Sequence, residues 1–83
     1  MQDLATERDH LVLAERHISE GESRIAQQAG LVQRLHGAGQ QVAAAQMLLE
    51  NFEQILESWK DHRDLILTTI VRLETERDRA SQP

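Results

Sequence analysis

LHGAGQQ, residues Leu35 to Gln41, interrupts an otherwise helix-favouring chain with two glycines. On both sides of it the apolar residues recur every seven positions. Before it, Leu4, Leu11, Ile18, Ile25 and Val32 form one row, and Glu7, Ala14, Gly21, Gln28 and Leu35 form a second. After it, Val42, Leu49, Leu56, Arg63 and Ile70 form one row, and Ala45, Phe52, Trp59, Ile66 and Leu73 the other. Two sustained rows at this spacing are the pattern of helices packed along a seam.

The rows do not run through the glycines. The first row would next fall on Gly39 and Gln46, which are not core residues. A straight helix would also lose about 1 kcal/mol per glycine relative to alanine. A turn resolves both problems. Gly37 is expected to end the first helix in a left-handed cap, and Gly39 to free the chain for a second helix. The rows then mirror each other about the point between Ala38 and Gly39, so that Leu4 meets Leu73, Gly21 meets Leu56 and Leu35 meets Val42.

The fold class read from this pattern is all-α, an antiparallel two-helix coiled-coil hairpin that dimerises into a four-helix bundle. One domain spans residues 1–83, with helix 1 over about 3–36, a turn at 37–39, helix 2 over about 40–79 and a frayed tail at 80–83. The stretch LILTTIV (Leu65 to Val71) is strand-like in isolation but belongs to the helical period.

Composition narrows the function classes. The chain has 83 residues, with 14 Asp plus Glu against 9 Lys plus Arg. An acidic balance argues against sequence-independent nucleic-acid binding and against docking on anionic membrane. No apolar run approaches the roughly 20 residues of a membrane span, and MQDLATERDH lacks the layout of a signal peptide. Without cysteine there are no thiolate sites. A cytoplasmic location is the expectation. A chain this short buries little surface alone and gains stability by pairing.

The two flanks of the seam differ. One carries Arg8, Glu15, Glu22 and Ala29 opposite Leu67, Lys60, Glu53 and Gln46, and is mostly polar. Glu15 is expected to reach Lys60 there. The other carries His10, His17, Arg24 and Leu31 opposite Thr69, His62, Ile55 and Leu48, with Leu13, Ala44 and Leu65 beside them. The expected interface is Leu13, His17, Leu31, Leu48, Ile55, His62, Leu65 and Thr69. Its first partner is a second copy of the chain, and another protein is the alternative.

Chemistry is thinly represented. His17 and His62 face one another across the seam and are the weak metal candidates, but two histidines leave a zinc site short of ligands. Paired imidazoles repel when protonated, so a pH-responsive interface is the stronger use of them. His10 is about 10 Å from His17 along the helix. HGAGQ lacks the strand and spacing of a phosphate loop, and the serines converge with no His and Asp. Trp59 and Phe52 lie on core rows. Arg63, also on a core row, is expected to snorkel past Ala14 to a carboxylate or to belong to a recognition site.

ERHISEGESRIAQQAGLVQRL (Glu15 to Leu35) followed by AAAQMLLENFEQILESWKDHRDLIL (Ala43 to Leu67) resembles a set of short bacterial helical-hairpin proteins with no assigned activity. The resemblance covers most of the chain. It implies a bacterial origin and a compact hairpin, and no catalytic residue. That set more often has an Asp-Thr pair capping the second helix, where this chain reads QQVAAAQ. The expected function is a non-enzymatic interaction and oligomerisation module, homodimeric and without cofactor. The alternatives are a small histidine-based regulator responsive to pH or metal, and an adaptor docking on a larger protein.

Overall fold

The computed structural model describes residues 2–82, so Met1 and Pro83, the outer ends of the expected domain and tail, lie outside the described residues. The described residues form two helices, α1 (Leu4–Gly37) and α2 (Ala43–Ala80). They pack along each other into a hairpin measuring 71 × 17 × 14 Å. No strand occurs among the described residues.

α1 starts where a side chain can serve its free amides. Asp3 is extended and accepts from the Thr6 backbone N–H at 3.0 Å and from the Thr6 hydroxyl at 2.7 Å. The first turn of a helix leaves such donors without partners, and an aspartate supplies an acceptor and a favourable charge.

α1 ends on backbone geometry. The Gln40 N–H donates to the Leu35 carbonyl at 2.9 Å and the Gly39 N–H to His36 at 3.1 Å. This crossed pair is the Schellman motif. Its left-handed residue is Gly39, with φ 70°, and it is the one described residue with positive φ. Gly37, expected to take that role, is instead the last helical residue. The motif also explains why α2 begins at Ala43 rather than near residue 40. Gln40 is held by its bond to Leu35, and Val42, at the cap position, offers no side-chain acceptor. At its far end α2 remains helical to Ala80, the first residue of the expected tail.

Every position of the four rows is buried or half-buried. Among the described residues, all the buried ones (Glu7, Ala14, Ile18, Gln28, Leu56, Ile66 and Ile70) lie on them. The mirror register holds at the layer where it is most exacting: a Cβ added at Gly21 would lie 3.3 Å from Leu56 Cδ1. The absent side chain makes room for the leucine. Ala14, 1% exposed, centres a cluster with Ile66 and Ile70, against which Leu4, Leu11 and Trp59 pack.

Candidate functional site

The seam uses up one stripe of each helix and leaves apolar side chains beside it. Leu13, Leu31, Leu48, Ile55 and Leu65 are 36–68% exposed, Leu65 the most. They occupy the flank that sequence spacing assigned to a partner. They run along it from Leu13 and Leu65 near the chain ends to Leu31 and Leu48 near the turn. Thr69 is half-buried on the same flank, its hydroxyl donating to the Leu65 carbonyl at 3.0 Å.

At the middle of this flank stands Trp59. Its row position turns one part of the indole onto the Ala14 cluster. The rest is shared with the histidines. The His17 ring stacks on it with centroids 4.2 Å apart and planes 21° apart, and His62 approaches edge-on at 5.7 Å. The two histidines therefore meet the same indole. A face-on aromatic contact and an edge-on one suit the charge distribution of a π system. Beside Trp59, with Ile55, Ser58 and His62, lies a shallow groove of about 300 Å³. Sequence reasoning placed Trp59 on a core row. The position of its row next to that of His62 was the available signal that it also reaches the flank.

Some polar groups around the site find nearby partners and one does not. His17 Nδ1 lies 3.8 Å from the Glu20 carboxylate on the same helix. Arg24, on the same flank, makes no ion pair among the described residues. His10 lies 3.8 Å from Glu7. Among the described residues no three His, Cys, Asp or Glu side chains gather in a way that could hold a metal ion.

Two expected contacts are replaced. Lys60 pairs with Glu57 at 3.7 Å on its own helix rather than with Glu15. Arg63 pairs with its neighbour Asp64 at 3.3 Å, so the carboxylate it finds is adjacent in sequence. In both cases a partner on the same helix is reached with less ordering of a long side chain.

The opposite flank is less uniformly polar than its sequence implied. Val12, Leu67 and Val71 are 61%, 39% and 62% exposed on that side. They are confined to the half of the hairpin near the chain ends, where Arg8 and Glu74 pair at 3.5 Å. No helix among the described residues is long and apolar enough to cross a membrane. No family model matches the chain, and no curated protein or solved structure matches it.

Proposed function

We propose that the hairpin is a protein-interaction module without catalytic chemistry, which pairs with a second copy of itself into a four-helix bundle. The observation that carries this reading is the row of exposed Leu13, Leu31, Leu48, Ile55 and Leu65 along a single flank. Scattered surface leucines need no explanation, but a row down a whole flank does. A face 71 Å long and 17 Å wide is ample for the roughly 800 Å² per partner of a standard interface. Burying one such leucine contributes about 1.5–3 kcal/mol. Several from each chain are needed to offset the association cost of about 4–15 kcal/mol.

Sedimentation tests the reading. The protein is expected to be a dimer at micromolar concentration. Leu48→Glu combined with Ile55→Glu should dissociate it and retain most of the helical signal, because neither residue lies on the seam. An unpaired charge in an apolar interface costs several kcal/mol. A parent protein that sediments as a monomer contradicts self-pairing and leaves the adaptor reading in its place.

A further inference from the structure

We infer that the two copies pair head to tail, with their glycine turns at opposite ends, so that Ile55 of each copy seats in the groove beside Trp59 of the other. This rests on the self-pairing proposed above. Two hairpins meeting through the same flank are related by a two-fold axis lying in the interface. That axis runs either along the helices, with both turns at one end, or across them, with the turns at opposite ends.

The flank residues distinguish the two. Leu13 and Leu31 are centred on Glu22, and so are Glu20 and Arg24. Leu48 and Leu65 are centred between Leu56 and Glu57, and so are Ile55 and Ser58. In the mirror register the two centres lie only about 2 Å apart along the helices, so a single crosswise axis serves both. About this axis α1 lies on α1 and α2 on α2. Leu13 of one copy then meets Leu31 of the other, and Leu48 meets Leu65. Arg24, which makes no ion pair among the described residues, comes opposite Glu20. Ile55 reaches the height of Ser58, which lines the groove together with Trp59 and His62. His62 comes opposite Asn51, and His10 comes opposite Arg34 at the outer edge, where water screens the pair.

An axis along the helices also places leucine on leucine, Leu13 with Leu65 and Leu31 with Leu48. Its middle is unfavourable. The Glu20 carboxylate would face the apolar groove, and Arg24 would lie over Ile55 without an acid. His17 and His62 of both copies would crowd one level. Removing a charge from water without a partner is strongly disfavoured. The crosswise axis gives both charges on the middle of the flank a partner of opposite sign.

A nitroxide label on Ala38→Cys, in a chain with no other cysteine, reads the orientation by electron dipolar spectroscopy. Ala38 lies on the exposed turn. Doubling the rise from Glu22 to Ala38 at about 1.5 Å per residue puts the labels of a head-to-tail dimer about 48 Å apart. With both turns at one end they would be within about 20 Å, the span of neighbouring helices and the label arms. A short distance from a species of dimeric mass overturns the orientation and keeps the dimer. A monomeric mass with no coupling overturns self-pairing itself.

Charge reversal supplies a second readout. Glu20→Arg and Arg24→Glu should each weaken self-association about fivefold to tenfold, and an equimolar mixture of the two variants should recover it. Equal affinity of the variants and their mixture overturns the Arg24–Glu20 pairing.

Discussion

The two halves of the hairpin are held differently. In the half that carries the chain ends, Glu7, Ala14, Ile18, Ile66 and Ile70 are all buried. Polar links tie the helices there, Arg8 to Glu74 and Arg72 to Gln2. In the half that carries the turn, only Leu56 and Gln28 are buried. The Gln28 side-chain amide donates to the Ala45 carbonyl at 2.9 Å, and Ile25, Val32, Leu35 and Phe52 are half-covered. Local backbone bonding shapes the turn, and packing closes the ends. The contacts that stabilise the hairpin most are therefore those farthest apart in sequence. Closing a longer loop raises the entropic cost only slowly, so a well-packed open end is affordable.

This contrast sets the order of mutational effects. Ile66→Ala and Ile25→Ala remove the same atoms from opposite halves. Ile66 is 4% exposed and belongs to the central cluster, so its loss should cost about 2–5 kcal/mol. Ile25 is half-exposed to water already and should cost about 1–2 kcal/mol. Urea unfolding of the two variants under the same conditions measures the difference. Equal losses would mean that the turn half is packed as tightly as the ends.

The turn itself offers a smaller pair of changes with opposite signs. Gly39→Ala places a side chain at φ 70°, a conformation that costs an L-residue about 1–2 kcal/mol. Gly37→Ala falls in the last helical turn with nothing within 4 Å of the new methyl. It should stabilise by up to about 1 kcal/mol. Thermal melts of both variants decide it. Destabilisation by Gly37→Ala would restore the cap to that residue.

The smallest effect belongs to the N-terminal cap. The Thr6 hydroxyl, and then the Thr6 N–H, hold the Asp3 carboxyl below its ordinary value of 3.8. A carboxyl with a depressed folded-state value stabilises above its unfolded value, and that contribution is lost as pH falls through the folded one. The first turn of α1 should therefore fray below about pH 4, and in Asp3→Asn that acid-dependent step should vanish. Amide exchange or chemical shifts at Thr6 and Glu7 report it. An unchanged profile in the variant assigns the fraying to other carboxylates.

Much of the architecture was legible because it depends on periodicity. Seven-residue spacing placed every row position at the seam, and the mirror about the glycines put Gly21 against Leu56. Three features escaped it for separate physical reasons. The left-handed residue is Gly39 because crossed backbone bonds choose the residue one past the cap, and composition alone does not separate two nearby glycines. Lys60 and Arg63 took partners on their own helix, because spacing fixes where a side chain starts and leaves its rotamer open. Trp59 serves both core and flank because an indole is wider than one position of the helical period. The flank leucines were legible from spacing, whereas the stacking of His17 on Trp59 depends on rotamers that spacing leaves open.

The central claim is that the glycine turn folds the chain back on itself, and small-angle scattering tests it most directly. A hairpin gives a longest dimension a little above 71 Å. Head-to-tail pairing about the middle of the flank hardly lengthens it, so the expectation holds for one chain or two. A rod near 120 Å, the length of a single helix at about 1.5 Å per residue, would contradict it.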